Sequence, residues 1–260
     1  MNRKLKNSKV QGTREWAVKT VNCCTGCSHD CRYCYAKGIA MRFKRLAANQ
    51  WRHETVRQHD VDRNHPKYPG QVMFPSSHDI TPNNLQACLA VLGRLLEVGN
   101  EVLIVSKPHL DSIEAICQQF ADYREKILFR FTIGACDDQV LSFWEPGAPE
   151  YGERMASLQY AYEIGFQTSV SVEPMLDSAN IDRLIAEVWP FVTETIWIGK
   201  MNHLGRLLKN ADAGLRAALQ HVEAGQTNDI ILSIFERHKG NPKIKWKASI
   251  KEVVRLPMVP

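Results

Sequence analysis

Five of the eight cysteines lie within twelve residues, from Cys23 to Cys34. Cys27, Cys31 and Cys34 form a CxxxCxxC motif, with Tyr33 directly before its last thiol. Thiolates are the usual protein ligands of iron–sulfur clusters and common ligands of zinc. Three thiols can hold three irons of a [4Fe–4S] cubane and leave the fourth iron open to a small chelating molecule. The spacing therefore predicts a metal or cluster site in this loop.

Zinc is the alternative ligand for this loop. A structural zinc ion needs four ligands, and Cys23 or Cys24 could supply the fourth. No CxxC pair follows downstream of Cys34, which disfavours a zinc ribbon. Cys23 and Cys24 are therefore interpreted as structural. The remaining cysteines are scattered along the chain and are predicted to be small buried residues; they are Cys88, Cys117 and Cys136. A second interpretation of Cys136 is given below.

The elements that must position this loop alternate between strands and helices. Alternation at this spacing indicates parallel strands joined by right-handed crossovers. Six strands are predicted, over residues 16–22, 71–74, 101–105, 126–133, 166–172 and 195–198. Helices are predicted over residues 36–47, 81–96, 111–120, 152–164 and 181–188. The pattern favours a partial (β/α)6 TIM-like barrel of the α/β class, with a doubly wound open sheet as the alternative, and the cysteine motif follows its first strand.

Two of the predicted strands have one apolar and one polar face. In a parallel strand covered by helices, the apolar face is expected to point outward and the polar face into the barrel. The apolar faces carry Phe129, Phe131, Ile133, Val170 and Val172. The polar faces carry Arg130, Thr132, Ser169, Ser171 and Glu173. A closed small barrel is filled with branched apolar residues, so a charged interior predicts an open barrel around a polar ligand.

The cysteine segment resembles the signature of the radical S-adenosylmethionine (SAM) superfamily. The string from Gly26 to Ala36 carries the CxxxCxxC motif with its aromatic residue. Ser106-Lys107, after the third strand, resembles an element of spore photoproduct lyase and its relatives, and residues 172–176 also resemble that branch and related phage-encoded radical SAM proteins. The similarity covers approximately residues 16–200.

The resemblance implies a barrel of the radical SAM type, a [4Fe–4S] cluster on Cys27, Cys31 and Cys34, and SAM as the second cofactor. Electron transfer to the bound sulfonium would then give a 5′-deoxyadenosyl radical. The SAM amino group is expected near Ser76, Ser77 or Asp79, and its carboxylate near Lys107 or Arg130. The residues predicted to bind SAM are Tyr33, Ser76, Ser77, Asp79, Lys107, Arg130, Ser171 and Glu173.

Cys136 is a candidate catalytic residue. It follows the fourth strand, at the end of a barrel where active sites gather, and the polar pair after it predicts a loop. The resemblance to the photoproduct lyase branch implies that a thiol there could donate a hydrogen atom to a product radical. A packed, inert thiol is the alternative.

Charge is unevenly distributed along the chain. The net charge is +5, but residues 1–57 carry +10 and residues 237–260 carry +6, so that the middle is acidic. Both basic ends could bind a polyanion. Basic residues that contact phosphates, together with a Trp that stacks on a base, would suit a nucleobase substrate, in DNA or as a nucleotide. The residues predicted to contact nucleic acid are Arg42, Lys44, Arg45, Lys243, Lys245, Trp246 and Lys247.

The predicted organisation is a basic N-terminal extension over residues 1–15, a radical SAM core over 16–200 and a helical, basic C-terminal extension over 201–260 that packs on the core. No apolar run is long enough for a membrane span and no secretory signal is recognised, which predicts a cytoplasmic protein, in the host cytoplasm if phage-encoded. We expect a monomer with an external flavodoxin- or ferredoxin-like electron donor.

The predicted activity is modification, rearrangement or repair of a nucleobase. A thymine-derived base in DNA is one candidate substrate. One alternative keeps the radical chemistry but acts on a peptide or small metabolite. The other is a non-enzymatic nucleic-acid-binding module with zinc on Cys24, Cys27, Cys31 and Cys34.

Overall fold

A computed structural model describes residues 12–209 and 211–258 of the chain. The strands of this described part are β1 (Lys19–Thr20), β2 (Cys24–Thr25), β3 (Thr55–Val56), β4 (Val72–Phe74), β5 (Val102–Ser106), β6 (Ile127–Thr132), β7 (Gln167–Val172), β8 (Ile196–Ile198) and β9 (Ile244–Trp246). Its α-helices are α1 (Tyr35–Arg42), α2 (Gln58–Val61), α3 (Leu85–Glu97), α4 (Leu110–Gln119), α5 (Asp138–Trp144), α6 (Tyr151–Glu163), α7 (Ile181–Val188), α8 (Leu204–Leu208), α9 (Ala213–Ala224), α10 (Asn228–His238) and α11 (Ala248–Val254).

Seven strands form one parallel sheet in the order β1-β4-β5-β6-β7-β8-β9. Each connection from β4 to β8 carries at least one helix, as parallel pairing requires. The order has two edges, β1 and β9, so the sheet is an open partial barrel. This confirms the predicted α/β class and partial barrel. The outer strands β2 and β3 form a separate antiparallel pair.

The two faces of the sheet are used as the strand patterns predicted. The apolar residues of β6 and β7 pack in one core with the helices, where Phe129 and Val170 meet Leu92 of α3 and Leu158 of α6. The opposite face holds a smaller apolar cluster that includes Leu103. On this inner face Arg130, Thr132, Ser169 and Ser171 are buried. Burial of these polar groups inside the sheet confirms the predicted orientation of β6 and β7.

The seventh strand, β9, was not predicted. It comes from the segment assigned to a C-terminal extension, and it pairs with β8 in parallel through Ile244, Lys245 and Trp246. Its three residues lie in a run rich in lysine, which has too few apolar positions to predict a strand. The boundaries of the predicted domains stay predictions, and most of the predicted N-terminal extension lies outside the described residues.

Three helical segments differ from the prediction. The first helix ends at Arg42, because Lys44 adopts a left-handed backbone with φ of 51°. The helix predicted from residue 81 begins at Leu85, after a turn closed by Asn84 Oδ1, which accepts a hydrogen bond from the Thr81 N–H. The polar loop predicted after Cys136 is wrong: Asp137 caps α5 by accepting a hydrogen bond from the Gln139 N–H.

In the described part of the chain, every helix is too short or too polar to cross a membrane.

Candidate functional site

The cysteine motif begins on a tight backbone approach that only glycine allows. Gly26 has φ of +86°, and a Cβ at this position would lie 2.3 Å from the His53 carbonyl oxygen. The next residue, Cys27, donates its N–H to the Trp51 carbonyl at 2.8 Å. The β2–β3 pair therefore holds the start of the loop against residues 51–53.

The three thiols of the motif lie in one enclosed loop. Cys27 and Cys31 are buried, and Cys34 caps α1, where its Sγ accepts a hydrogen bond from the Lys37 N–H at 3.4 Å. Burial raises the pKa of each of the three thiols. A metal ion or cluster is what holds such buried sulfurs as thiolates at neutral pH.

The arrangement of these sulfurs fits a cluster better than one zinc ion. Two thiolates on the same zinc, each at about 2.3 Å, lie no more than about 4.6 Å apart. Within the described residues, Cys27, Cys31 and Cys34 do not form a group whose ligand atoms all lie within 4.8 Å of one another. Thiolates that bind three different irons of a cubane are farther apart. The donor set therefore fits a [4Fe–4S] cluster, and Cys24 lies with Cys23 instead.

Asp79 is the central acid of the site. Its Oδ1 accepts hydrogen bonds from Ser106 Oγ at 2.9 Å and from the Lys107 N–H at 2.8 Å. Its Oδ2 lies 3.1 Å from His29 Nδ1 and 3.9 Å from Cys27 Sγ. Burial alone would raise the pKa of the Asp79 carboxyl, but Lys107 and His29 hold it well below its usual range. The carboxylate is therefore charged directly beside the thiols.

Lys107 supplies the positive charge of the same site. Its Nζ lies 3.4 Å from Asp79 Oδ2 and 6.0 Å from the centre of the Tyr33 ring. Burial alone would lower the pKa of Lys107, but Asp79 and other acidic groups hold it well above its ordinary value. We refer to Cys27, His29, Asp79 and Lys107 as the cluster-loop group.

A buried ion pair supports the loop from the α5–α6 side. The Tyr33 hydroxyl donates to Glu145, whose other oxygen lies 2.6 Å from Arg154 Nη2. Glu145 and Arg154 are fully buried. A Cβ on Gly147 would lie 2.2 Å from the Ser28 carbonyl oxygen, so this connection touches the cysteine loop directly.

Two further polar residues position the loop and carried no signal in the sequence. Glu54 Oε1 accepts from the N–H and the hydroxyl of Ser28, both at 2.8 Å, and its Oε2 accepts from Thr81 Oγ1 at 2.6 Å. Glu54 thus ties the cysteine loop to the segment before α3. Asn22 Oδ1 accepts from the N–H groups of Ser76 and Ser77 at 2.7 and 2.8 Å. Neither residue belongs to a spacing motif.

The residues predicted to bind SAM are not all brought together. Tyr33, Asp79 and Lys107 meet at the cysteine loop, and Ser76 reaches it because its carbonyl accepts a hydrogen bond from the Tyr35 hydroxyl. Ser77 is placed next to Ser76 by Asn22. The remaining predicted residues, Arg130, Ser171 and Glu173, have other neighbours.

Arg130 stacks between two tryptophans. Its guanidinium carbon lies 4.8 Å from the Trp16 ring centre and 5.4 Å from that of Trp197, and its Nε donates to Ser169 Oγ at 3.0 Å. Burial lowers the pKa of Arg130 to about 9. In the described residues, Arg130 Nη1 and Ser171 Oγ have no hydrogen-bond partner.

Lys247 lies against the same rings. Its Nζ is 3.9 Å from the Trp16 ring centre and pairs with Glu15 at 2.9 Å and Glu173 at 3.3 Å. Burial raises the pKa of Glu173, and Lys247 opposes that shift. We refer to Trp16, Arg130, Trp197 and Lys247 as the tryptophan group.

Cys136 lies away from the cysteine loop. It packs at the edge of the helix-covered core. The charges that act on its thiol are those of Arg183, Glu187 and Asp177, while burial raises its pKa. The structure therefore places Cys136 beside α7 and does not bring it to Asp79 or Lys107, so the predicted role as a hydrogen-atom donor has no geometric support.

The predicted nucleic-acid residues divide into two sets. Arg42, Lys44 and Arg45 are exposed at the end of α1. Trp246 is buried against Phe235 in the core, and Lys247 is buried in its ion pairs, so neither is available to a nucleic acid. The alternation of β9 points Ile244 and Trp246 toward the helices. The contact of Trp246 and Lys247 with nucleic acid therefore stays a prediction that their burial does not favour.

The rest of the C-terminal run is also only partly available. Lys243 Nζ donates to the Val192 carbonyl at 2.6 Å and lies 4.8 Å from the Trp189 ring centre. Lys245 is exposed.

No protein-family model matches the chain. A curated relative, the uncharacterized protein ORF301 of Acidianus two-tailed virus, is 25% identical over 184 residues, which is 66% of this chain and 60% of the viral protein. The chain thus spans about 60% of the length of this relative.

The similar solved structures include those of two proteins, SuiB and spore photoproduct lyase. SuiB of Streptococcus suis bound to S-adenosylmethionine has a TM-score of 0.55 at 11% identity, over 92% of this chain and 52% of that one. A spore photoproduct lyase mutant has a TM-score of 0.55 at 12% identity, over 87% and 75%. Another mutant of this lyase, with dinucleoside spore photoproduct, has a TM-score of 0.52 at 14% identity, over 78% and 60%. The chain therefore shares the overall fold of these two enzymes, which agrees with the fold expected from the resemblance of its cysteine motif.

Proposed function

We propose that this chain is a radical SAM enzyme that holds one [4Fe–4S] cluster through Cys27, Cys31 and Cys34. The observation that carries the proposal is the buried CxxxCxxC loop with the charged pair of Asp79 and Lys107 beside its first thiol. When bound, the cluster and SAM would together supply a 5′-deoxyadenosyl radical through reductive cleavage of the sulfonium.

The charged pair suits the amino-acid end of SAM, which carries an ammonium and a carboxylate. Asp79 is held as a carboxylate and complements the ammonium, and Lys107 is held as an ammonium and complements the carboxylate. Each of the two already neutralises the other at 3.4 Å. A bound zwitterion therefore extends a balanced network without burying a net charge.

Iron binding and SAM cleavage test the proposal together. Anaerobically reconstituted protein should be brown, contain about four irons per chain and release 5′-deoxyadenosine from SAM when reduced. Cys31→Ala should lose the cluster and the cleavage. Cys117→Ala is the matched control, since Cys117 is a buried thiol in α4 outside the loop. Full iron content in Cys31→Ala would refute the ligand assignment.

We further propose that the substrate is a nucleobase in a single strand or a flipped-out nucleotide. Phe43 is 60% exposed just after α1, and the guanidinium carbons of Arg42 and Arg45 lie 5.8 and 5.4 Å from its ring centre. An exposed ring flanked by cations suits a stacked base and its phosphates. The dinucleoside lesion bound by one lyase of similar fold supports the same class.

Binding of a single-stranded oligonucleotide tests the substrate class. We expect affinity to fall steeply with salt, and Phe43→Ala to weaken binding by roughly 1–3 kcal/mol. Tyr162→Ala is the control, because Tyr162 is an exposed aromatic residue on α6. Binding that is independent of salt and of Phe43, or turnover of a peptide or small metabolite instead, would contradict the nucleobase proposal and leave the radical SAM proposal standing.

A further inference from the structure

A second group of sulfurs lies outside the CxxxCxxC motif. Cys23 Sγ is 3.8 Å from Cys24 Sγ, 3.8 Å from Cys88 Sγ and 3.9 Å from His78 Nε2. The ligand atoms of Cys23, Cys24 and His78 all lie within 4.8 Å of one another. All four side chains are buried, with at most 6% of any residue exposed. Three thiols and an imidazole thus converge in the core, away from solvent.

We propose that Cys23, Cys24, His78 and Cys88 form a second metal site, which binds one structural zinc ion. Tetrahedral zinc takes Cys3His ligand sets, with Zn–S bonds of about 2.3 Å. Two thiolates on such an ion are therefore roughly 3.8 Å apart, which is the separation of the Cys23 sulfur from each of its two sulfur neighbours. The spacing that the cluster thiols lack is present here between Cys23 and each of Cys24 and Cys88. Cys88 itself lies outside the group of ligand atoms that are all within 4.8 Å of one another, so its sulfur must move to complete the set.

His78 is oriented as a zinc ligand is. Its Nδ1 lies 2.9 Å from the Asp79 carbonyl oxygen, which can only accept, so Nδ1 carries the proton. Its Nε2 therefore presents a lone pair, which accepts the Cys23 N–H at 3.2 Å in the absence of a metal; binding of zinc would replace this hydrogen bond. An imidazole whose outer nitrogen is held by a backbone carbonyl is the usual arrangement of a metal-bound histidine.

Cys88 completes the set from α3. Its Sγ donates to Asn84 Oδ1 at 3.2 Å, one helical turn earlier, and it touches Cys23 Sγ on the other side. Rotation of this short side chain about its Cα–Cβ bond moves the sulfur without moving the helix. Binding of zinc would release the thiol protons to solvent, since the ligands are thiolates.

The charge of the site is offset by a neighbouring cation. Zinc with three thiolates and one neutral imidazole has one net negative charge. Arg57 donates from Nη1 to the Cys24 carbonyl at 2.7 Å and from Nη2 to the Asn22 carbonyl at 2.9 Å. The guanidinium therefore lies next to the site without occupying a ligand position.

Zinc at this position would join three segments of the chain that lie next to the cysteine loop. Cys24 lies in β2, two residues before Gly26, while His78 directly precedes Asp79 and Cys88 lies in the first turn of α3. The ion would fix the stem of the cysteine loop to the segment that carries Asp79. Its role is structural, because the four ligands leave no open position on the metal.

Metal analysis of a chain without cluster ligands tests the site apart from the proposed activity. In the full-length variant with Cys27, Cys31 and Cys34 all changed to Ala, we expect about one zinc per chain. Cobalt in place of zinc should give thiolate-to-cobalt charge-transfer absorption. Adding Cys24→Ser or His78→Gln should weaken zinc affinity at least about 100-fold, because each removes a ligand. Adding Cys117→Ser, which changes a buried thiol elsewhere, should leave it unchanged.

A measurement on the unmodified chain covers the case in which these variants fail to fold. Zinc should raise the thermal unfolding temperature of the native protein, and a strong chelator should reverse the rise. Absence of both zinc binding and this stabilisation would overturn the proposal, as would a disulfide between Cys23 and either neighbouring cysteine in protein purified from the cytoplasm. Loss of SAM cleavage alone would not, since the zinc readouts need no activity.

Discussion

The charged residues inside the sheet fall into two groups that have different partners. In the cluster-loop group, Asp79 and Lys107 face each other beside Cys27. In the tryptophan group, Arg130 and Lys247 lie against aromatic rings, and Lys247 is neutralised by Glu15 and Glu173. The first group presents a balanced pair beside the proposed cofactor site. The second uses its charges to join the N-terminal segment to the sheet.

Residues with the same sequence pattern therefore have different roles. The charged residues of the cluster-loop group are proposed to bind SAM, whereas those of the tryptophan group stabilise the fold. Lys107 directly follows the end of β5, and Arg130 lies on the inner face of β6. The sequence pattern predicts that both bind SAM. In the register of the sheet, Arg130 is opposite Val105, two residues before Lys107, which is about 7 Å along the strand. Trp16, which comes from before the first strand, decides the environment of Arg130.

The largest expected effects come from removing one partner of a buried ion pair in each region. Arg154→Met leaves Glu145 uncompensated beside the cysteine loop, and Lys247→Met leaves Glu15 uncompensated beside the tryptophan group. Each should lower the free energy of unfolding by about 3–5 kcal/mol, because an unpaired buried charge is costly. Denaturant unfolding of both variants measures this.

Iron retention then distinguishes the two variants. Arg154→Met should retain less iron, because Glu145 accepts the hydrogen bond of Tyr33 inside the cysteine motif. Lys247→Met should retain iron like the unmodified chain under conditions where both are folded. Equal loss of iron in both would mean that the two regions are not separate.

The next largest effect concerns SAM affinity. Lys107→Met removes the ammonium beside Asp79, and SAM binding should weaken about 100-fold. This is about 2.7 kcal/mol, within the range of about 2–5 kcal/mol that loss of a buried charged partner costs. Arg130→Met should weaken SAM binding by less than about threefold, since such a change is below 0.7 kcal/mol. Equilibrium binding of SAM to the reconstituted variants measures both. A larger loss for Arg130→Met would reverse the assignment of the two groups.

Gly26→Ala should have an intermediate effect on stability. A Cβ would meet the His53 carbonyl oxygen at 2.3 Å, and the left-handed backbone disfavours alanine, so a loss of about 2–3 kcal/mol is expected. Gly240→Ala is the control, because a Cβ there has no neighbour within 4 Å. Thermal unfolding compares them, and equal melting temperatures would show that the loop tolerates the Cβ.

The smallest effect is expected at a surface ion pair. Asp182 lies 2.5 Å from His238 Nε2 and 3.0 Å from Arg237 Nε. Burial slightly opposes ionisation, but these partners hold the pKa of Asp182 below its usual value. Stability from such a carboxylate is present above its unfolded-state pKa and is lost as the pH falls through the folded one.

Asp182→Asn should therefore cost about 0.5 kcal/mol or less near pH 7, since the pair is half exposed and screened, and the difference should vanish in acid. Unfolding at pH 7 and pH 3 tests this. A cost that grows toward low pH would contradict the direction of the shift.

The strands and the cysteine loop could be predicted because the sequence patterns that indicate them are local. The CxxxCxxC spacing lies within eight residues, and the alternation of β6 and β7 is readable from each strand alone. The supporting residues could not be predicted. Glu54 and Glu145 act on residues 26 and 112 positions away, and a single glutamate has no spacing that marks it.

The C-terminal run shows why composition alone misleads. Its lysines and Trp246 have the composition of a nucleic-acid-binding surface, yet pairing of β9 with β8 buries Trp246 and Lys247. A three-residue strand gives too little periodicity to reveal this pairing. Cys23 and Cys88 are a similar case, since 65 residues separate two thiols that meet in the core.

The central claim is that Cys27, Cys31 and Cys34 bind a cluster with one iron left free for SAM. The electron paramagnetic resonance spectrum of the reduced protein, recorded with and without SAM, tests it most directly. We predict the signal of a reduced [4Fe–4S] cluster whose g values shift when SAM is added. A protein without such a signal, or with a signal that SAM leaves unchanged, would contradict the claim.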